Sequence, residues 1–557
     1  MEGSLRPRSV ALVLFAVVAL WASLLAPAEA HPEGPAHHAP VPPHATEVMK
    51  AFAADQQEPA GLAATSSADC VDGFAAGFPC DNVDLLAFLP LADIGGTRSN
   101  SAANDIWGWT DPASGKEYAI VGRVFGTSFV DISNPADPVY LGELPTHGAF
   151  GSSWRDIKVY NDHAFIVSEA LNHGMQVFDL TQLRNVSSPP VTFSETAHYS
   201  NVGSAHNIAI NEDSGYAYVV GASGKNSCSG GLHMVDIRTP ASPSFAGCFS
   251  ADGYTHDTQC VVYKGPDSAY TGHEICVNSN EDTVTVVDVT DKTSPTMLSR
   301  VGYDGAKYTH QGWLTEDQTY FLLDDELDEQ NHGHNTRTRV WDVSDLDAPV
   351  LVGFTDGTTT AIDHNQYVKG QHTYQANYRA GLRILEIVDV TTGSLSEVGY
   401  FDVYPSDDNP EFNGAWSTYP YFASGVVVVS GIEQGLFVLR PDLATTGNPP
   451  TAYDVTTSTD QDTSVIVTLS GSDLESCELV FSIVTGPTHG TLSTIGNQAC
   501  DPGSPNSDRA AIAYTPDPGY SGSDSFTYRV TDGDGNTDDA RVSITVNAVD
   551  GTSTVLH

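Results

Sequence analysis

The stretch SFVDISNPADPVYLGEL, residues 128–144, carries the pattern that decides the fold of this chain. An apolar run ends on Asp131, a turn with two prolines follows, and a second run of strand-forming residues begins at Val139. Short apolar runs bounded by Pro, Asn, Asp and Gly are typical of β-strands joined by tight turns. The stretch TRVWDVSDLDAPVLVGF, residues 338–354, has the same pattern.

The pattern belongs to a repeat of about fifty residues. Each repeat contains a pair of polar or aromatic residues, and successive pairs lie 50 to 54 residues apart. The seven pairs are Asn104-Asp105, Arg155-Asp156, His206-Asn207, His256-Asp257, His310-Gln311, His364-Asn365 and Trp416-Ser417. A period in this range indicates stacked units of supersecondary structure.

Each unit contains four short strand-like runs, and helical periodicity is scarce. Seven four-stranded units predict a seven-bladed β-propeller over residues 68–442. The last unit lacks its fourth strand, whereas an additional run, LLAFLPL at 85–91, precedes the first unit. We expect this run to pair with the strand around 436–439 and close the ring, because closure removes an exposed strand edge.

A second domain follows a linker at 443–449. Polar and apolar residues alternate over short runs within residues 450–547, and the last ten residues, 548–557, form a tail. Alternation at this spacing over about 100 residues is typical of a β-sandwich. The chain is therefore predicted to be all-β, with a seven-bladed propeller followed by an Ig/cadherin-like β-sandwich.

The two stretches quoted above resemble LVIVD repeats, and the 68–442 segment is similar to the choice-of-anchor B family of exported bacterial proteins. The stretch YTPDPGYSGSDSFTYRVTDGDGNTD, residues 514–538, resembles the cadherin-like, Ig-like modules of bacterial surface adhesins. These resemblances imply an exported β-propeller that is usually held at the cell surface by a C-terminal anchor. They imply no established reaction and no catalytic residues.

The first thirty residues, 1–30, have the composition of a signal peptide. Arg6 and Arg8 precede an apolar run, and a small-x-small cleavage site ends at Ala30. Residues 31–67 are a linker rich in His, Pro and Ala. No transmembrane segment is predicted after the signal peptide, so we expect a secreted or cell-surface protein.

The eight cysteines fall in pairs of neighbours along the chain. An even number of cysteines in an exported protein predicts disulfides. The expected pairs are Cys70/Cys80, Cys228/Cys248, Cys260/Cys276 and Cys477/Cys500.

The composition is strongly acidic. Asp and Glu number 70 against 24 Lys and Arg, which gives a formal charge of −46. Nucleic acid and anionic membranes are therefore poor partners, because such a surface repels phosphates, and no nucleic-acid partner is expected.

In a propeller the first strand of each blade lines the central channel, so the seven pairs are expected around one mouth. The ends of the second strands return to the same mouth. Imidazole and carboxylate ligands together suit a divalent metal ion. The predicted ligands are His206, His256, His310, His364, Glu169, Glu274 and Asp325.

Two arginines of the same columns, Arg123 and Arg155, are predicted to bind a ligand carboxylate in bidentate fashion. The alternative for the histidines is structural, because repeated His and Asp residues in propellers hydrogen-bond between blades. Histidine occurs in four consecutive units only, however, and a purely structural residue would be distributed more evenly.

The sandwich contains a candidate calcium loop. Asp532, Asp534, Asn536 and Asp538 alternate along a Gly-rich stretch, and calcium prefers clusters of hard oxygen ligands. A plain acidic hairpin turn is the alternative. A second acidic stretch, DDELDEQNHGHN at 324–335, is either a cation-binding loop or a solvated insertion.

The favoured function is that of a non-catalytic extracellular binding or adhesion protein, with an extracellular protein or a glycan as its partner. One alternative is a metal-dependent hydrolase or lyase that acts on an acidic extracellular polymer at the His-rich mouth. Another is a structural surface-layer component. No catalytic residues are predicted, since GxSxG, HExxH and phosphate-loop motifs are absent. The sequence indicates no oligomeric state.

Overall fold

The structure is a computed structural model that describes residues 64–98, 100–443, 449–473, 476–498, 500, 505–533 and 536–549. The predicted signal peptide, the linker up to residue 63, residues 444–448 of the second linker and the tail from residue 550 lie outside the described residues.

The described chain consists almost entirely of β-strands. The strands that precede the first histidine pair are β1 (Thr65–Ala68), β2 (Phe74–Ala75), β3 (Phe78–Asp81), β4 (Val83–Pro90), β5 (Ala103–Thr110), β6 (Glu117–Arg123), β7 (Gly126–Asp131), β8 (Val139–Pro145), β9 (Arg155–Tyr160), β10 (His163–Ser168), β11 (Met175–Asp179), β12 (Val191–Thr192) and β13 (Ala197–Tyr199). The next strands are β14 (Asn207–Asn211), β15 (Tyr216–Val220), β16 (Leu232–Asp236), β17 (Ser244–Phe249), β18 (Asp257–Val262), β19 (Glu274–Ser279), β20 (Val284–Asp288), β21 (Thr296–Val301), β22 (Thr309–Leu314), β23 (Tyr320–Asp325), β24 (Arg337–Asp342) and β25 (Val350–Asp356).

The propeller ends with β26 (Asn365–Lys369), β27 (His372–Ala376), β28 (Leu382–Asp389), β29 (Ser394–Phe401), β30 (Ala415–Tyr419), β31 (Val427–Gly431) and β32 (Gly435–Pro441). The short helix α1 (Asp328–His332) lies between β23 and β24. The 3-10 turns among the described residues are Leu91–Ile94, Leu180–Asn185, Cys228–Gly230 and Val390–Thr392.

Seven sheets precede the sandwich in the described part of the chain. From their inner strands outward they are β5-β6-β7-β8-β12, β9-β10-β11-β13, β14-β15-β16-β17, β18-β19-β20-β21, β22-β23-β24-β25, β26-β27-β28-β29-β3-β2 and β30-β31-β32-β4-β1. We call each of these sheets a blade. The inner strands contact one another in cyclic order, and β30 contacts β5. This is the arrangement of a β-propeller, and the predicted fold class is confirmed.

Both faces of a blade are covered by its neighbours, which explains why many strands are apolar throughout. All five residues of β31 and all seven residues of β6 are buried. One apolar core joins the last blade to the first and includes Val428, Val438, Ala119 and Val121. Burial on two faces favours continuous apolar runs over the alternation seen in half-exposed sheets.

The N-terminal strand completes the last blade, as the sequence predicts. β4 pairs with β32, and the register places Phe88 opposite Phe437 and Leu85 opposite Leu439. The segment before β4 is shared between two blades, because β1 pairs with β4 whereas β3 pairs with β29 of the preceding blade. The N-terminus therefore fastens two neighbouring blades together.

All eight cysteines are disulfide-bonded in neighbouring pairs. The bridges are Cys70–Cys80, Cys228–Cys248, Cys260–Cys276 and Cys477–Cys500. Disulfides are typical of proteins that function outside the cytoplasm.

The sandwich contains β33 (Thr451–Ala452), β34 (Val455–Asp460), β35 (Val465–Asp473), β36 (Val480–Thr485), β37 (Gly490–Leu492), β38 (Gly496–Asn497), β39 (Asn506–Pro516), β40 (Gly522–Thr531) and β41 (Thr537–Asn547). One sheet has the order β33-β35-β39-β37, with β38 also paired to β39, and the other has the order β34-β41-β40-β36. Alternate residues of both sheets meet in one core, around Leu469, Tyr514, Tyr528 and Val542. This is the predicted Ig-like sandwich.

The Cys70–Cys80 bridge should stabilise the ring. It closes a ten-residue segment, for which chain entropy gives about 3 kcal/mol of stabilisation. Replacing both cysteines (Cys70→Ser with Cys80→Ser) should lower the free energy of unfolding of the propeller by about this amount. Denaturant unfolding under non-reducing conditions measures it, and the pair Cys477→Ser with Cys500→Ser, in the sandwich, is the control. An unchanged propeller transition in the first variant would contradict the predicted fastening.

Candidate functional site

The propeller channel contains a cavity of about 500 Å³. All seven inner strands contribute to its wall, and its most prominent feature is a group of aromatic side chains. These are Trp107, Trp313, Tyr367, Tyr419 and Tyr421. Cavities of this size, lined by aromatic residues and a few polar groups, are typical of ligand sites.

The aromatic residues pack edge to face around the wall. The ring centroids of Trp313 and Tyr367 are 5.0 Å apart, and those of Trp107 and Tyr419 are 5.1 Å apart. Trp107 also lies 5.6 Å from Tyr367. Because the rings support one another in this way, the wall is ordered before any ligand binds.

Seven of the cavity residues occupy one position of the repeat, three residues after the first member of each pair. This column contains Trp107, Lys158, Ala209, Gln259, Trp313, Tyr367 and Tyr419, and all seven line the cavity. Side chains alternate across a strand, so the first member of a pair and the residue three positions later point to opposite faces. None of these residues was predicted as a site residue, although the repeated aromatic residues in this column could have indicated a ligand cavity.

A buried cation lies in the cavity wall. Lys158 Nζ is 2.6 Å from an oxygen of Asp156 and 3.7 Å from one of Asp105, and it lies 4.5 Å from the ring centre of Trp107. Burial alone would lower the pKa of Lys158, but the charges of the two aspartates outweigh burial and raise it. The lysine is therefore charged and paired within the protein.

Asp257 lines the cavity next to His256. Burial, together with the nearby negative charge of Asp156, raises the pKa of Asp257 to about 7. A carboxyl group with such a pKa exchanges protons at neutral pH. The cavity thus carries one group that can act either as a hydrogen-bond donor or as an acceptor.

The four predicted histidines lie side by side, and we call them the histidine row. Successive ring centroids, from His206 through His256 and His310 to His364, are 4.3, 4.2 and 4.6 Å apart. Each is 5% exposed or less. The column alignment thus identified side chains that meet in space.

The histidine row links neighbouring blades. Nδ1 of His256 donates to the carbonyl oxygen of His310 at 2.9 Å, and Nδ1 of His364 donates to that of Trp416. Nδ1 of His310 lies 2.9 Å from Oδ1 of Asp324 and 3.1 Å from the carbonyl oxygen of His364. A carbonyl oxygen only accepts, so Nδ1 carries the proton and Nε2 of the neutral ring keeps its lone pair. Nδ1 therefore has the structural role of linking neighbouring blades. The lone pair of Nε2 could still bind a metal ion.

Glu326 completes a group that the sequence analysis did not anticipate. Its oxygens lie 3.9 Å from Nε2 of His310 and 3.8 Å from Nε2 of His364, and it accepts a hydrogen bond of 2.7 Å from the hydroxyl of Tyr378. Ligand atoms of the two histidines and Glu326 lie within 4.8 Å of one another. Burial raises the pKa of Glu326 to about 7.

Asp325, which was predicted as a ligand, points away from the histidine row. It accepts hydrogen bonds from the hydroxyl of Tyr303 (2.7 Å) and from the backbone amides of Lys307 (2.8 Å) and Tyr308 (2.7 Å). Successive side chains alternate across a strand, so Glu326 faces the histidines and Asp325 does not. The prediction of Asp325 was wrong, because its neighbours Asp324 and Glu326 face the histidines instead.

Glu274 is also not at this mouth. It begins β19 rather than ending it, and its carboxylate accepts hydrogen bonds from Lys292 (2.7 Å), Asn211 (2.8 Å) and Ser214 (2.6 Å). The sequence analysis assigned the second strand of this blade too early, at the run that precedes Glu274. The residue that ends β19 is Ser279.

Glu169 is placed as predicted, beside the histidine row. One of its oxygens lies 2.7 Å from Nδ1 of His206. Burial opposes protonation of His206, but the hydrogen bond and charge of Glu169 outweigh it and raise the pKa of the imidazole. By contrast, burial lowers the pKa of His364 to about 3. The two ends of the row therefore differ, because the proton is held more strongly at His206 than at His364.

Comparison with family models identifies both parts of this architecture. The model of the LVIVD repeat matches residues 114–146, 202–250 and 275–302, and that of the bacterial Ig domain matches residues 447–545. The chain carries LVIVD repeats and a C-terminal bacterial Ig domain.

Solved structures resemble the LVIVD propeller at low sequence identity. A protein from Lactobacillus plantarum is 13% identical, covers 59% of this chain and 88% of its own, and has a TM-score of 0.38. A functionally unknown protein from Desulfotomaculum acetoxidans DSM 771 is 11% identical, covers 59% and 89%, and also has a TM-score of 0.38. A search among curated proteins finds no match. Among the described residues, no helix has the length and hydrophobicity needed to cross a bilayer.

The arginines predicted to bind a ligand are used inside the LVIVD propeller instead. Arg123 donates to Ser128 (2.6 Å), to the carbonyl oxygen of Gly95 (2.7 Å) and to Glu143. Arg123 is 2% exposed and Arg155 is 1% exposed. Guanidinium groups enclosed in this way do not reach a ligand in the channel, and this corrects the prediction.

Arg155 has an unusual environment for a buried cation. It donates to Thr146 (2.8 Å) and to the carbonyl oxygen of Arg123 (3.1 Å), and it lies 3.0 Å from Nε2 of His173. Burial and the charge of Arg123 lower the pKa of Arg155 to about 9. Burial, reinforced by the charge of Arg155, lowers the pKa of His173 to about 3.

His173 should make the propeller sensitive to acid. As pH falls below 6.5, the ordinary histidine value, the unfolded chain gains a proton at this position that the folded chain does not accept, so stability is lost towards low pH. The variant His173→Gln should lose about 2 kcal/mol less than the wild type between pH 7.5 and pH 5. Urea unfolding at the two pH values measures the difference. Equal losses in both proteins would contradict the assignment.

The candidate calcium loop of the bacterial Ig domain forms a hairpin turn in its described part. Both oxygens of Asp532 accept hydrogen bonds from Asn536, from the backbone amide at 2.8 Å and from the side-chain amide at 3.0 Å. Asp538 accepts a hydrogen bond from the backbone amide of Ala452 at 2.9 Å. Asp534 lies outside the described residues. Calcium binding at this loop stays a prediction.

Proposed function

We propose that this protein is an extracellular binding protein that holds a neutral carbohydrate group in the channel cavity of its propeller. LVIVD repeats and a bacterial Ig domain suggest a propeller-type surface or adhesion protein, and the four disulfides agree with an extracellular location. The aromatic wall of the cavity is the single observation that carries the choice of ligand.

The wall suits a sugar ring. One face of a sugar ring is largely C–H and packs on aromatic surfaces, whereas its hydroxyls both donate and accept hydrogen bonds. Trp313, Tyr419 and Tyr421, which are partly exposed, offer such surfaces, and Gln259 and Asp257 offer polar groups in the same cavity. A volume of about 500 Å³ falls within the range of small-molecule sites.

Charge favours a neutral ligand. Glu212 and Glu316, both exposed, stand among the cavity residues, and Lys158 is paired with aspartates. An acidic polymer would meet these carboxylates and the overall charge of −46, and like charges repel. The cavity therefore supports glycan binding better than action on an acidic polymer.

The alternatives remain predictions. A metal-dependent hydrolase or lyase would use the group formed by His310, Glu326 and His364, which could hold a divalent ion through two imidazoles and a carboxylate. That group is buried, and its residues are not among those that line the cavity. A structural surface-layer component would need no cavity of this kind.

Removing the aromatic wall should weaken binding. Trp313→Ala and Tyr421→Ala should each reduce the affinity for the best neutral oligosaccharide of a glycan array about tenfold, which corresponds to about 1.4 kcal/mol. Isothermal titration with the full mature chain measures the change. Circular dichroism should show an intact fold.

The matched control is Phe150→Ala, since Phe150 is aromatic, 61% exposed and not part of the cavity. It should bind as the wild type does. If the two cavity variants retain full affinity, or if the array shows binding to acidic glycans only, the proposal is wrong.

The bacterial Ig domain is proposed to bind calcium at Asp532, Asp534, Asn536 and Asp538. Close carboxylates repel one another, and a bound cation relieves this repulsion. Millimolar calcium should therefore raise the melting temperature of the sandwich in the full chain, and the joint variant Asp532→Asn with Asp538→Asn should abolish the rise. A rise that persists in this variant would place the calcium elsewhere.

A further inference from the structure

A second group of carboxylates lies close to the histidine row, and we call it the buried acid cluster. It contains Asp328 and Glu329 of α1 and Asp363, which precedes β26. Their exposures are 0%, 1% and 2%. The stretch 324–335 is therefore not a solvated insertion at these positions, which was one of its two interpretations.

The cluster is not neutralised by the protein. Arg339, which is 4% exposed, donates to one oxygen of Asp328. When all three carboxyls are ionised, they leave an excess of two negative charges over this one guanidinium (3 − 1 = 2). Burying charge without compensation is strongly unfavourable.

Several oxygens of the cluster also lack hydrogen bonds. Oδ1 of Asp328, both oxygens of Glu329 and both oxygens of Asp363 accept none from the described residues. Buried carboxylates normally accept several hydrogen bonds. By contrast, Asp325, a few residues earlier in the chain, accepts one from a tyrosine hydroxyl and two from backbone amides.

A histidine stands at the edge of the cluster with its lone pair directed inward. Nδ1 of His334 donates to the carbonyl oxygen of Asn335 at 2.7 Å, which leaves Nε2 as the acceptor nitrogen, 3.5 Å from an oxygen of Asp328. Nε2 has no hydrogen-bond partner among the described residues. A metal-binding histidine typically fixes its other nitrogen on a carbonyl in this way.

We propose that Asp328, Glu329 and Asp363, with His334 at the edge, bind one divalent cation of the hard class, calcium or manganese. Ligand atoms of Asp328, Glu329 and His334 lie within 4.8 Å of one another. Carboxylate oxygens suit both ions, and manganese more readily accepts an imidazole. A charge of +2 equals the excess negative charge of the fully ionised cluster.

The proposed ion links two neighbouring blades. α1 follows β23 of one blade, whereas Asp363 lies two residues before β26 of the next blade. The ion therefore acts as a cross-link in the ring, independently of any ligand in the cavity. Burial raises the pKa of Glu329 and the charge of Asp363 raises it further, so protons should compete with the ion.

Metal binding by the full mature chain tests the proposal. Protein stripped with a chelator is dialysed against Ca²⁺ and, separately, Mn²⁺, and bound ions are counted by elemental analysis. The wild type should retain an ion that Glu329→Gln and Asp363→Asn each bind at least about tenfold more weakly. The ion should raise the melting temperature of the wild-type propeller. In chelator, both variants should melt higher than the wild type, because they remove uncompensated charge.

Two controls separate this site from other groups. Asp345→Asn with Asp347→Asn alters an exposed group of aspartates that includes Asp267, and His364→Asn alters the histidine row. Both should keep the ion. The proposal is overturned if neither Ca²⁺ nor Mn²⁺ is retained by the wild type, or if Glu329→Gln and Asp363→Asn retain it unchanged. A lower melting temperature of both variants in chelator would equally overturn it.

Discussion

The inner strands of neighbouring blades do not share a sheet, so each presents an edge whose backbone groups need partners. Side chains of the repeated pairs provide them. The backbone amide of Ile157 donates to Asp105 at 3.0 Å, that of Ile208 donates to Asp156 at 2.7 Å, and Nδ1 of His256 donates to a carbonyl oxygen of the next blade. The need to pair these edge backbone groups explains why nearly every unit contains a polar pair. The same pairs supply polar residues to the channel.

The same histidine can therefore link two blades through Nδ1 and still offer Nε2 as a metal ligand. A hydrogen bond at Nδ1 orients the ring and fixes its tautomer, and only then does Nε2 have a defined direction. Two interpretations that exclude each other in a sequence alignment are compatible in three dimensions. His256, His364 and His334 show this arrangement, and in each case the partner of Nδ1 is a backbone carbonyl oxygen.

The sequence was sufficient for the repeat, the closing strand and the four disulfides, since these depend on periodicity and proximity along the chain. The direction of individual side chains was harder to predict from the sequence. Asp325 and Glu326 are adjacent and equally acidic, and β23 ends at Asp325 as predicted, but the composition does not tell which of the two side chains faces the histidines. Glu274 was misplaced because the run before it has strand-like composition but belongs to a turn. The burial of acidic residues was harder still to predict, because the acidic stretch around Glu329 has the composition of a surface loop.

The sharing of the N-terminal segment between two blades also governs how the protein can be made. β4 is synthesised long before its partner β32, and about 340 residues separate the two strands. Until the last blade has been synthesised, β4 lacks its partner β32 and the ring remains open with unpaired edges. Contacts between such distant segments form late and slowly, and exposed edges favour aggregation. A folding catalyst or chaperone would thus act on this chain chiefly before closure, and truncated chains that lack the last blade would be targets for proteolysis.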